Sequence, residues 1–184
     1  MRRAGVDGVM LAELLVATAL TAASARPAVA SVAPGERTVP CEEVIDHVRF
    51  PYIGNRDPRF RARLVLAAVS APGAFVPQVS PTESRPWSSF AKWGMVVRAG
   101  AGAPVTVTVP RAWRDRLAIS WGNAQHDVFH TLRFPRCGLD AGTGNAYAGG
   151  FFLRRQSDCV PLRFEVGERR RVLWFGIGRR CPAR

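Results

Sequence analysis

Alternation constrains this chain more than any other feature. After residue 40, apolar residues recur at every second position in short runs, and Gly or Pro separates the runs. That spacing places apolar side chains on one face of a β-strand. Val105-Thr106-Val107-Thr108-Val109 is β-branched throughout and puts its valines on one face. Leu117 to Trp121 alternates Leu, Ile and Trp with Ala and Ser, and Val128 to Phe134 aligns Val128, His130, Leu132 and Phe134. Val160 to Val166 turns its even positions inward and Arg163 and Glu165 outward, while Arg171 to Ile177 aligns Leu173, Phe175 and Ile177. Further strands are expected at Leu64 to Val69, Met95 to Arg98 and Tyr147 to Arg154, and a short helical turn within Glu42 to Val48. Gly167-Glu168 suits a two-residue hairpin with glycine in its first central position, which sets Glu165 opposite Arg170. No long amphipathic helix follows residue 30. These features predict an all-β fold, an immunoglobulin-like antiparallel β-sandwich over residues 41–184.

The N-terminus reads differently. Arg2 and Arg3 precede a mostly apolar run from Leu11 to Ala23, too short to span a bilayer comfortably. Ala23-Ser24-Ala25 and Ala28-Val29-Ala30 are small-residue cleavage sites. Ala22 to Pro40 is rich in Ala, Ser and Pro and carries no periodicity, so residues 1–30 are expected to be a signal peptide and 31–40 a flexible stretch. An uncleaved membrane anchor is the minor alternative. All four cysteines, Cys41, Cys137, Cys159 and Cys181, follow this segment, which predicts two disulfides in a secreted or envelope-associated domain. No Cys-x-x-Cys is present, so the spacing does not match a zinc ribbon.

Strand direction suggests how the cysteines pair. With the strand ending at Phe134 running up, Cys137 lies at the top; the following strands place Cys159 and Cys181 at the bottom. Bridged cysteines need Cα atoms within about 7 Å. Cys159 should then pair with Cys181 and Cys41 with Cys137. If the loop from Gly138 to Ala146 crosses the sandwich, the pairs become Cys137–Cys159 and Cys41–Cys181.

The formal net charge is +12, and 25 of the 26 basic residues are arginine; Lys92 is the only lysine. Ala, Gly, Pro and Val are also abundant, so GC-rich codons supply much of the arginine. The charge predicts adhesion to polyanions, with anionic cell-envelope polymers or a protein as partners. Specific nucleic-acid binding is not expected, because neither interleaved stacking aromatics nor a basic helix accompanies the arginines.

Signs of catalysis are sparse. No Gly-x-Ser-x-Gly or His-Glu-x-x-His occurs. His126 and His130 are four residues apart on an expected strand, about 13 Å, too far to share one zinc; each reads as a hydrogen-bonded structural histidine. Gly142-Thr143-Gly144-Asn145-Ala146-Tyr147 lacks the third glycine of a dinucleotide fingerprint and reads as a loop. No cofactor or metal is implied. Trp87 and Trp93 are the candidate ligand-binding residues. With Phe90 they lie in Pro-rich, turn-rich sequence, where an exposed ring could stack on a sugar or anchor a partner; the competing reading is a loop folded over the core by its own aromatics.

Asn145-Ala146-Tyr147-Ala148-Gly149-Gly150-Phe151-Phe152-Leu153-Arg154, Cys159-Val160-Pro161-Leu162 and Phe175-Gly176-Ile177-Gly178-Arg179-Arg180-Cys181 form one set of familiar segments. Val105 to Trp113 and Ile119-Ser120-Trp121-Gly122-Asn123 form another. Together they resemble a group of small exported actinobacterial proteins of unknown function. The resemblance covers roughly residues 41–181 and implies an extracytoplasmic location; it brings no catalytic residues. The function expected is a non-enzymatic binding or envelope-associated domain, the alternative being an extracellular enzyme acting on a glycan or peptide.

Overall fold

The computed structural model describes residues 34–54, 57, 61–122, 127–138 and 140–183. The expected signal peptide lies outside them, as do Arg56, Arg59 and His126. Fifteen strands and two short 3-10 turns, Cys41–Glu43 and Arg111–Trp113, make up the described regular structure.

One sheet has six strands in the order β1 (Glu36–Thr38), β11 (Thr131–Phe134), β9 (Val105–Thr108), β14 (Asp158–Val166), β15 (Arg169–Ile177) and β5 (Phe75–Val76). Its two outer pairings, β1 with β11 and β15 with β5, are parallel, and the rest are antiparallel. A second sheet runs β10 (Leu117–Trp121), β13 (Gly149–Leu153), β7 (Ser89–Lys92), β6 (Ser80–Pro81). A third runs β2 (Asp46–Arg49), β12 (Thr143–Tyr147), β8 (Met95–Arg98), β4 (Val69–Ala71), β3 (Arg63–Val65).

The second and third sheets are halves of one bent layer. Gly150 faces Lys92 on one side of the bend and Tyr147 faces Met95 on the other, the same alignment carried across it. The Trp93 N–H donates to the Gly149 carbonyl at 2.7 Å within the bend itself. Glycine is required here. A Cβ on Gly149 would lie 1.9 Å from the Ser120 carbonyl oxygen, and one on Gly150 2.0 Å from that of Ala91. Both neighbouring strands approach the ribbon too closely for any side chain.

The core lies between this bent layer and the six-stranded sheet. Phe151 meets Phe175 at 5.3 Å between ring centroids, and Phe134 meets Tyr147 at 4.9 Å, so rings interlock across the layers. Val105, Val107, Leu162, Phe164, Phe175 and Ile177 are all buried on the faces that alternation assigns to them. Burying side chains of this size contributes about 1.5–3 kcal/mol each. The fold is thus all-β and sandwich-like, with two disulfides. Its strands divide among three sheets, so the resemblance to an immunoglobulin domain goes no further than that architecture.

Several expectations need correction. The stretch before Cys41 is ordered from Glu36. Val39 is fully buried, its N–H donates to the Arg133 carbonyl at 2.8 Å, and Arg37 forks onto the Glu43 carboxylate. The run Leu64 to Val69 is not one strand, because Leu66 and Ala67 take left-handed conformations (φ 52° and 55°) and turn the chain between β3 and β4. Tyr147 to Arg154 is broken by the bend. The Glu42 to Val48 stretch makes one 3-10 turn and then enters β2. The segment Gly142 to Tyr147, expected as a loop, is mostly β12, paired on both sides.

The disulfides pair as strand direction suggests, Cys41 with Cys137 and Cys159 with Cys181, at Cα separations of 5.5 and 5.2 Å. The hairpin also forms as expected: Gly167 has φ +56°, and Glu165 faces Arg170. Two disulfides and no free cysteine fit an oxidising compartment. Among the described residues no helix is long and apolar enough to cross a membrane.

Candidate functional site

The two candidate tryptophans part company. Trp87 is 1% exposed and packs with Ala118 and Phe152 against the outer face of β10 and β13. Phe90 joins this small second cluster, stacking on Phe152 at 4.7 Å. Trp87 therefore offers no ring face to a ligand and serves as the aromatic cover that the competing reading described. Its indole N–H is buried with no acceptor among the described residues.

Trp93 instead sits at the bend, half-buried, and lines a cleft of about 430 Å³. Its main chain is held from two sides: the N–H donates to Gly149, and the carbonyl accepts the Trp121 indole N–H at 2.8 Å. The ring position is thus set by the fold rather than by a free loop. Opposite it the cleft is walled by Ile45, Asp46 and Val48 on and beside β2, and by Tyr52, whose N–H donates to the Ser70 hydroxyl at 3.0 Å. Ile45 and Tyr52 are exposed. A smaller cleft of about 270 Å³, lined by Phe90, Ser120, Gly149 and Phe152, lies on the other side of the bend. Lys92 borders both. The site therefore offers flat apolar rings, one amine and one carboxylate.

Sequence reasoning missed Lys92, Tyr52 and Asp46. Lys92 carried a signal: it is the only lysine beside 25 arginines, and it directly precedes Trp93. Tyr52 and Asp46 reach the cleft by pairing of β2 with β12, which no local pattern reveals.

The residues with shifted titration have structural explanations. Tyr147 borders the cleft, but burial pushes its hydroxyl up to about 12, with Glu43 adding to the shift. The hydroxyl donates to Cys137 Sγ at 3.8 Å, so it stays neutral and engaged. Burial lowers the His130 imidazole, whose Nε2–H donates to the Arg114 carbonyl at 2.9 Å. This is the hydrogen-bonded structural histidine that the sequence suggests. Asp140 is lowered by the Thr143 hydroxyl and the Gly142 N–H in a tight turn. His47 meets the Asn145 side-chain oxygen at 3.0 Å through Nδ1, and Asn145 donates to the Cys137 carbonyl, bracing β2 and β12 beside the disulfide. Among the described residues no group of three or more His, Cys, Asp or Glu could hold a metal. No protein-family model, no curated protein and no solved structure matches this chain.

Proposed function

We propose that this is an exported, non-enzymatic binding domain that holds an anionic, ring-bearing polymer of the cell envelope in the cleft at the bend. The observation that carries this reading is the composition of the cleft, with Trp93 and Tyr52 as apolar rings and Lys92 as a cation at its rim. Flat rings against aromatic side chains, with the Lys92 amine and the Asp46 carboxylate to orient a ligand, make a binding surface. The two disulfides support an extracytoplasmic setting, and the resemblance to small exported actinobacterial proteins points the same way.

Retention of the protein on purified cell wall tests the reading, measured across a salt series. Lys92→Glu lies on an exposed side chain, leaves the core untouched and should lower retention at least fivefold. Trp93→Phe should lower it less while preserving the fold. Retention that neither substitution alters, and that salt alone abolishes, would leave only unspecific attraction of a basic protein to an anionic wall.

A further inference from the structure

The C-terminal hairpin carries a second candidate surface, remote in sequence from the cleft. The edge of β15 away from β14 is only partly covered. β5 pairs with it at Gly176 and Ile177 alone, where the Gly176 N–H donates to the Ala74 carbonyl. Pairing then stops for a local reason. The chain before Ala74 contains Pro72, which has no N–H, and Arg63 fills the space, donating to the Pro72 and Trp174 carbonyls at 3.1 and 3.0 Å. Backbone groups alternate sides along a strand. Since Gly176 points away from β14, so do Val172 and Arg170. Among the described residues no strand pairs with the N–H and C=O groups of Arg170 and Val172, although the Arg169 guanidinium reaches across to the Leu66 carbonyl at 3.1 Å. Residues 169–172 are exposed on both faces; Val172 is 48% exposed, and Leu64 on the neighbouring edge strand β3 is 51% exposed.

We infer that this edge, from Arg170 to Val172, docks an extended acidic peptide as an added β-strand. Two properties of this edge select that occupant. The open backbone groups recognise a main chain in extended form. Arg170 and Arg171 flank them with positive charge and favour carboxylates in the added strand. A second copy of this chain is disfavoured at the same edge, because antiparallel pairing would set one arginine run against the other. Exposed Val172 supplies an apolar contact for a side chain of the peptide.

The test uses the full chain and two blocked, fluorescent peptides of equal charge, one alternating valine with glutamate and one alternating proline with glutamate. The valine peptide should bind at least tenfold more tightly, because the proline peptide lacks half of its donors. Val172→Pro removes a donor that points away from β14, so the hairpin ladder survives. This variant should lose the tenfold preference while keeping its affinity for heparin. Arg170→Glu should weaken both peptides. If Val172→Pro does not fold, hydrogen exchange on the unaltered chain decides: the Arg170 and Val172 amides should slow when the valine peptide is bound. Equal binding of the two peptides, or no slowing at those amides, would overturn the inference and leave charge alone. Lys92→Glu should not affect peptide binding, which separates this surface from the cleft.

Discussion

The β14–β15 hairpin and the bent ribbon of β7–β8 with β12–β13 are both long antiparallel pairs, yet they are built by opposite means. The hairpin joins neighbours in sequence through two residues, and nine successive positions pair without interruption. Its rules are local: alternation, a turn glycine and a cross-strand charge pair. The ribbon joins segments about fifty residues apart and folds sharply in its middle. Its shape depends on close main-chain approach at the bend, to Ser120 of β10 on one side and to Ala91 of its own β7 on the other. The regular hairpin gives a firm sheet and an open edge. The irregular ribbon gives a concave corner, and a cleft of about 430 Å³ lies there. A bend costs regularity, but it also creates a recess that a straight strand pair cannot form.

Glycine substitution should separate the two regions most strongly. Gly150→Ala drives a methyl into the Ala91 carbonyl, and no flexible side chain can yield. Loss of folding, or destabilisation of about 3–5 kcal/mol, is expected at the bend. In the hairpin, Gly167→Ala meets nothing closer than the Ala103 Cβ at 3.7 Å and pays only for its positive φ, about 1 kcal/mol. Thermal melts of both proteins measure the difference; equal losses would break the comparison.

The disulfides should differ in the same direction but less. Cys41–Cys137 spans 96 residues and Cys159–Cys181 spans 22. On chain entropy, replacing the first pair by serine should cost about 4.7 kcal/mol and the second about 3.4 kcal/mol. Denaturant titration of the two double variants ranks them. A larger loss at the short bridge would show that native-state contacts outweigh loop closure.

Asp158, at the foot of the hairpin, is buried between Arg179 at 3.3 Å and Arg116 at 3.9 Å and accepts the Cys159 N–H. Asp158→Asn should cost about 1.5–3 kcal/mol. Urea unfolding of this variant tests whether the hairpin needs a charged anchor in addition to its local pairing.

The smallest expected effect is pH dependence from His130. Burial lowers its folded pKa, so the unfolded chain takes up a proton first as pH falls. Stability should therefore be full above the ordinary imidazole value of 6.5 and decline as pH drops from there towards the folded value. His130→Gln should flatten that part of the profile. A profile unchanged by the substitution would assign the decline to other groups.

How much of this was legible in the sequence follows the same division. Alternation located β9, β10, β14 and β15, because each belongs to a run with an apolar residue at every second position over at least five residues. Gly167 located the hairpin turn, and strand direction paired the cysteines. The short strands β1, β2, β5, β6 and β7 were missed, Phe90 of β7 having been read as turn-rich sequence, since none of them carries a run of alternating apolar residues. Trp87 and Trp93 looked alike as residues in turn-rich sequence, and only packing separated them. One covers the outside of a sheet, while the other is pinned at the bend by Gly149 and Trp121.

The sequence by itself determined the strand-forming runs, the tight hairpin and the even set of cysteines, because each depends on residues within a few positions of one another. Tertiary structure alone decided the three-sheet division, the burial of Trp87, the meeting of Lys92, Trp93, Tyr52 and Asp46 in one cleft, and the exposed stretch of β15. Those outcomes depend on which distant strands pair and where they collide, and such contacts have no spacing along the chain by which to announce themselves.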